Sequence, residues 1–235
     1  MKIGLFSDPH YSRRELSGAT RRPRLSYEKI GEALRCFREE KVDLVICLGD
    51  LIDSEGSAPQ DRDNLSHIAV LLSSSGIETL VIPGNHDLFA LDRYRFGVLL
   101  NMPLAPLHRR YGDVDVILLD ANYFKNGQAY DGRPGDWTDT MIPQTQTEWL
   151  KKELESAGDK TYVFSHQLID YNMEQHHVVE NAEDVCRILV DSGKVKGVFQ
   201  GHYHHGGENE IGGIPFVTLR AMCEGYENSF LTIEV

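Results

Sequence analysis

Short apolar runs and amphipathic stretches alternate along nearly the whole chain. Runs at 3–7, 44–48, 79–82, 114–119, 161–165, 195–199, 215–219 and 230–235 are apolar and often β-branched, which predicts buried strands. Between the first two, Ser26 is placed to cap a helix whose apolar positions Ile30, Ala33, Leu34 and Phe37 fall at i, i+3, i+4 and i+7. Leu65, Ile68, Ala69 and Leu72 repeat that stripe in a second helix, which is expected to stop at Gly76. A third starts at Thr145, spaced as a capping box with Glu148, and runs through Trp149, Leu150 and Leu154 to Gly158. A fourth runs from Asn181 through Val185, Ile188 and Leu189 to Gly193. Strands alternating with helices predict an α/β layered fold, and the strand-rich stretch after Gly193 predicts that part of the sheet is antiparallel.

No Gly/Ser/Pro linker, compositional break or internal repeat divides the chain, so residues 1–235 read as one domain. The segment 121–143 mixes Gly, Pro and Asp with Tyr123, Phe124, Tyr130 and Trp137 without periodicity. It is either a functional loop or a surface excursion stapled by its own aromatics.

Composition narrows the class. The 235 residues are 41% hydrophobic and 26% charged, which excludes disordered and collagen-like chains. The longest uninterrupted apolar stretch, 44–48, is far below the roughly 20 residues of a spanning helix. An Asp at position 8 interrupts any secretory h-region, so a cytoplasmic protein with no membrane partner is expected. Cys36, Cys47, Cys186 and Cys223 form no C-x-x-C pair and read as reduced core thiols. A net charge of −12 opposes non-specific binding to a polyanion, and nucleic acid is not expected as a partner.

Metal-donor residues fall directly after strands at five places. These are Asp8-Pro9-His10, Gly49-Asp50 with Asp53, Gly84-Asn85-His86-Asp87, Ser165-His166, and Gly201-His202-Tyr203-His204. In α/β sheets the crevice outside the carboxyl ends of strands binds ligands, so these turns are expected to converge on one site. Asp8 and His10 sit two residues apart, with Pro9 biasing Asp8 toward an extended conformation that aims both side chains to one side. His202 and His204 repeat that spacing and could reach one ion or two adjacent ones. Glycines 49, 84 and 201 allow close backbone approach or strained angles. Carboxylate and amide oxygens mixed with imidazole suit Mn, Fe or Zn, and the lack of Cys ligands argues against a structural zinc site.

Taken in order, Asp-x-His, Gly-Asp-x-x-Asp, Gly-Asn-His-Asp, His and Gly-His-x-His resemble the calcineurin-like metallophosphoesterases, and Gln146-x-x-Trp149-Leu150 is similar to a helix often found before the fourth block. The resemblance implies a two-sheet β-sandwich flanked by helices, in four α/β/β/α layers, holding two divalent transition-metal ions. One metal would take Asp8, His10 and His204, the other Asn85, His166 and His202, with Asp50 bridging. His86, paired with Asp53, would stand beside the metals as the catalytic acid and, with Asn85, contact substrate. Two divalent ions set against Asp8, Asp50 and a bridging hydroxide leave the cluster at about +1, which attracts an anionic phosphate. The implied reaction is hydrolysis of a small soluble phosphate ester by in-line attack of the metal-bridging hydroxide.

The family's Ser/Thr protein phosphatases usually read Gly-Asp-x-x-Asp-Arg-Gly and Gly-Asn-His-Glu. Here the corresponding stretches are Gly-Asp-Leu-Ile-Asp-Ser-Glu and Gly-Asn-His-Asp, a departure that favours small molecules and a phosphodiester. The alternatives are a DNA nuclease or phosphomonoesterase of the same family, or a non-catalytic protein-binding scaffold. Segment 11–24 carries Arg13, Arg14, Arg21, Arg22 and Arg24 against only Glu15. It is either a solvated loop or a set of guanidinium forks for phosphate, with Arg13 and Arg14 as candidate substrate contacts. Asp87 reads as a supporting or capping group, and His67, His108, His176, His177 and His205 as surface or loop residues.

Overall fold

The computed structural model describes residues 1–133 and 135–235; Pro134, inside the 121–143 segment, lies outside the described residues. The first half alternates strand and helix: β1 (Lys2–Phe6), α1 (Ser26–Glu39), β2 (Leu44–Cys47), α2 (Ala58–Ser74), β3 (Glu78–Val81) and α3 (Arg93–Leu100). Next come β4 (Leu107–Tyr111), β5 (Val114–Leu118), α4 (Gln144–Ser156), β6 (Thr161–Ser165), α5 (Ala182–Ser192) and β7 (Val195–Gln200). The chain closes with β8 (Gly207–Ile211), β9 (Ile214–Thr218) and β10 (Leu231–Glu234).

One sheet has the order β10-β1-β2-β3 and the other β4-β5-β6-β7-β9-β8. β1, β2 and β3 run parallel, as do β5, β6, β7 and β9, while β10, β4 and β8 are antiparallel edges. Strand alternation builds the layers. On β1, Ile3 and Leu5 enter a buried cluster with Val116, Leu118 and Phe164 of the second sheet, whereas Phe6 joins Ile30, Phe37, Leu65 and Phe96 on the helical side. The outer face of the larger sheet packs Val163, Val198 and Phe216 against Leu150 and Leu154 of α4 and Val185 and Leu189 of α5. The chain therefore forms the expected helix-flanked, two-sheet sandwich. Among the described residues no helix is long and apolar enough to cross a membrane.

Three expectations change. Ser26 is the first helical residue rather than a cap: Leu25 precedes the helix, and the Ser26 hydroxyl donates to the Pro9 carbonyl, tying α1 to the turn after β1. No capping box forms at Thr145, because α4 begins one residue earlier behind Pro143 and Glu148 instead accepts from Gln144. Asp8 is not extended, since both it and His10 take positive φ, 52° and 46°. Three further elements carry no clear sequence signal. β4 and β8 are polar edge strands with incomplete burial, and α3 is a short helix with Gly97 inside it and Tyr94 and Val98 exposed.

Candidate metal centre

The inner strands are parallel within each sheet, and the donor blocks that follow their carboxyl ends meet at one site, as contacts between the blocks show. Left-handed backbone concentrates on the candidate ligands: Asp8, His10, Asp50 (52°) and His202 (65°) all have positive φ. That conformation costs non-glycine residues on the order of 1 kcal/mol or more each and persists where surrounding structure over-determines it. Here the turns are stitched together: Asp8 N–H donates to Gly49 O (3.1 Å), His10 N–H to Asp50 O (2.8 Å), and Gly201 N–H to His166 O (3.0 Å). Gly201 also serves close approach, since a Cβ there would land on Ser7 Oγ and 2.7 Å from Asp8 Oδ2.

Asp50 occupies the middle of the cluster. Its Oδ2 lies 3.3 Å from His10 Nε2 and 3.4 Å from His166 Nε2, while Oδ1 accepts the His86 N–H at 2.8 Å. On one side, His204 Nε2 is 3.2 Å from His10 Nε2 and 3.7 Å from Asp8 Oδ1. On the other, Asn85 Oδ1 is 3.1 Å from His166 Nε2, and the His166 and His202 rings are 4.9 Å apart. Donor atoms of Asp50, His166 and His202 can meet around one ion, as can sets drawn from His10 with Asp50 and His86, or His10 with His204 and Cys223.

The residues fit divalent cations on two counts. Asp8 Oδ1 and His202 Nε2 are buried with no hydrogen-bond partner, although buried polar atoms are ordinarily satisfied. The donors are carboxylate, amide and imidazole, a set that suits borderline and hard divalent ions. Cys223 is a poorer donor, because burial holds its thiol far above the usual range. Supporting acceptors fix the imidazoles: His166 Nδ1 donates to Leu48 O (2.7 Å) and His204 Nδ1 to Glu224 Oε1 (2.6 Å), leaving each Nε2 facing the cluster. Burial lowers His10 to about 4 and also pushes down His202. Burial acts the same way on His166, but the adjacent Asp50 carboxylate overrides it and lifts the group to about 9.

His86 and Asp53 lie beside these donors. Asp53 Oδ1 is 3.3 Å from His86 Nδ1 and accepts from Arg21 Nη1 at 3.0 Å. Burial opposes charge on His86, yet Asp50 and Asp53 together raise it above the ordinary histidine value. Asp87 supports the turns, its carboxylate accepting from Gly84 N–H (2.8 Å) and Ile52 N–H (3.1 Å).

The structure thus brings together Asp8, His10, Asp50, Asp53, Asn85, His86, His166, His202 and His204. Arg13 and Arg14 lie elsewhere: Arg13 lines a separate depression with Tyr11, Arg24 and Tyr27, and Arg14 faces Glu55 at 3.5 Å. Arg21 is the member of that segment that reaches the centre, because backbone pairing with Ser17 and Glu224 folds it back over the site. It shares a cavity of about 330 Å³ with His10, Asp50, His86, His202 and His204. Asn85, Trp137, His177, Tyr203 and His205 complete that cavity's wall. A larger hollow of about 770 Å³ between α4 and α5 contains none of the donors. Glu224, which follows the last inner strand, and His177, in a 3-10 turn, carry no local signal, whereas Trp137 lies in the aromatic, aperiodic segment that the sequence marks as a functional loop or a staple.

A dimetal phosphatase from Danio rerio superposes with a TM-score of 0.84 at 19% identity, covering 98% of this chain and 91% of that one. The yellow lupin purple acid phosphatase PPD1 gives 0.65 at 14% identity, over 99% of this chain and 47% of that one. In sequence, a protein of Fibrobacter succinogenes described as a probable cyclic nucleotide phosphodiesterase is 24% identical over 214 residues, 87% of this chain and 73% of that protein. The sequence model of the calcineurin-like phosphoesterases matches residues 1–206, and the chain belongs to that family. It is a phosphoric ester hydrolase that depends on divalent metal ions.

Proposed function

We propose that the protein hydrolyses a small anionic phosphodiester at a dinuclear centre. The observation that carries this reading is the central carboxylate: one oxygen of Asp50 is 3.3 Å and 3.4 Å from imidazoles belonging to two separate donor groups. Asp8, His10 and His204 would hold one ion, Asn85, His166 and His202 the other, with Asp50 shared between them. When bound, the two cations supply Lewis-acid charge to the phosphoryl oxygens and lower the pKa of the attacking water. Asn85 positions the phosphoryl group through its side-chain amide. His86, held by Asp53, is placed to donate a proton to the leaving oxygen, a role typically worth about 10² to 10⁴-fold. Arg21 adds positive charge at the cavity wall and replaces Arg13 and Arg14 as the arginine offered to substrate. Pairing of β10 with β1 joins the last strand to the first, which supports reading residues 1–235 as one catalytic domain.

Metal analysis of protein purified without chelator should find about two divalent ions per chain. Chelation should abolish hydrolysis of bis(p-nitrophenyl) phosphate, and Mn, Fe or Zn should be compared for its recovery. Asp50→Asn should lose both ions, whereas His86→Ala should keep them and lower kcat by about 10² or more. Equal metal loss in the two variants would overturn these roles. Faster cleavage of single-stranded DNA than of small diesters would replace the small-molecule reading with a nuclease.

A further inference from the structure

A second cavity of about 230 Å³ opens beside the candidate centre and shares Asn85, His86 and Trp137 with it. Ser54, Phe89, Tyr130, Arg133 and Gly135 form the rest of its wall. Trp137 is held edge-on against the His202 ring (centroids 5.3 Å apart, 74° between planes) and lies 4.9 Å from the His177 ring. Tyr130 is almost wholly buried, packs against Phe124 at 4.6 Å and donates its hydroxyl to Asp139 O at 2.9 Å. The 121–143 segment is therefore stapled by its own aromatics and, at the same time, presents an anchored indole to the site. Trp137 and Phe89 both line the cavity, and as whole residues they are 40% and 39% exposed. A concave wall of aromatic side chains beside a few convergent polar groups is the usual form of a small-ligand site.

We propose that this cavity is the seat for a planar aromatic arm of the phosphodiester, with Trp137 as the residue that selects it. The inference rests on the phosphoesterase reading above and names its substrate class: a diester with at least one aromatic substituent, rather than one with two small polar or aliphatic arms. The shared seam supplies the register. A phosphoryl group between Asn85 and His86 has one ester oxygen directed toward the Trp137 cavity, and an arm on that oxygen covers the faces of Trp137 and Phe89. Ring-on-ring contact rewards a flat substituent over a puckered one of similar size. Arg133, which lines the cavity and donates a long 3.4 Å hydrogen bond to Gln128 Oε1, supplies a guanidinium that can lie against a π face or meet a polar ring substituent.

Non-hydrolysable phosphonates separate the arm from the chemistry. Binding of methylphosphonate, cyclohexylmethylphosphonate and benzylphosphonate to the Mn-loaded protein should be measured by calorimetry. In a Trp149→Phe background, which leaves Trp137 as the remaining tryptophan, emission should be followed as well. Benzylphosphonate should bind about tenfold more tightly than methylphosphonate and should alter Trp137 emission. Trp137→Ala should collapse the benzyl-to-methyl ratio toward one, Trp137→Phe should keep most of it, and Phe89→Ala should reduce it. Equal affinity for benzyl and methyl ligands, equal affinity for benzyl and cyclohexylmethyl ligands, or a preference that survives Trp137→Ala would each overturn the proposal while leaving diester hydrolysis in place. Failure of all three phosphonates to bind, together with no cleavage of bis(p-nitrophenyl) phosphate, would instead remove the phosphoesterase site on which it depends.

Discussion

Glu224 offers a sharp test of how the centre is assembled, because it lies 20 residues beyond His204 and touches it from an irregular segment. Its Oε1 accepts from His204 Nδ1 at 2.6 Å, a charge-assisted bond that fixes the ring with Nε2 toward Asp8 and His10. In Glu224→Gln the side chain keeps its length but loses its charge, and the imidazole loses the partner that raises its donor strength. A hydrogen bond to a charged group is worth about 1.5–3 kcal/mol, and loss of such support around a metal ligand weakens binding or activity by about 10 to 100-fold. Glu224 is only partly buried, so the fold should survive. Titration of Mn against a competing chelator should show one weakened class of site and one unchanged, since His166 is held separately by the Leu48 carbonyl. Two sites weakened equally would refute the assignment of His204 and His166 to different ions, and neither weakened would refute the support that Glu224 gives His204.

Other expectations follow from the surrounding structure. Gly4→Ala would place a methyl 2.8–2.9 Å from the Phe37 ring in the layer between β1 and α1, and should destabilise by about 1–3 kcal/mol in urea denaturation, with partial rescue by Phe37→Leu. Lys29 is buried with its ammonium 2.7 Å from Met222 O and 3.1 Å from Gly225 O, so Lys29→Met should leave carbonyls unpaired and cost about 1–3 kcal/mol, read as a lower urea midpoint. Burial would raise Asp115, but Arg110, the Gly158 N–H and His108 outweigh it and hold the carboxyl below its usual value. Its ionised form therefore stabilises the fold above about pH 4, the unfolded-state value, and this contribution fades as pH falls through the lower folded value. The stability gap between wild type and Asp115→Asn should be larger at pH 7 than at pH 3; a gap that widens on acidification would reverse the sign.

Much of this architecture is legible along the chain. An inner strand such as Leu44–Cys47 is buried on both faces and so reads as a continuous apolar run, and the donors sit at the strand ends because parallel α/β strands deliver polar turns to one edge. Gly193 ends α5 with φ 66°, as its position after the apolar stripe implies. Edge strands carry less signal: Gly207–Ile211 pairs on one side and faces solvent, so its Glu-Asn-Glu core has no apolar pattern.

Which residue types stand at the ends of which strands was already set in the primary structure, because burial periodicity and turn chemistry are written within a few residues. Folding in three dimensions was needed to turn Asp8 and His10 through left-handed backbone, to return Arg21 rather than Arg13 or Arg14 to the centre, and to bring Glu224 and Trp137 to its border. These outcomes depend on sheet order and on pairing across the gap between sheets, as when Cys223 N–H donates to Asp8 O. The His202 N–H likewise donates to Asp8 Oδ2 across 194 positions of chain, a separation over which no local pattern can specify a partner.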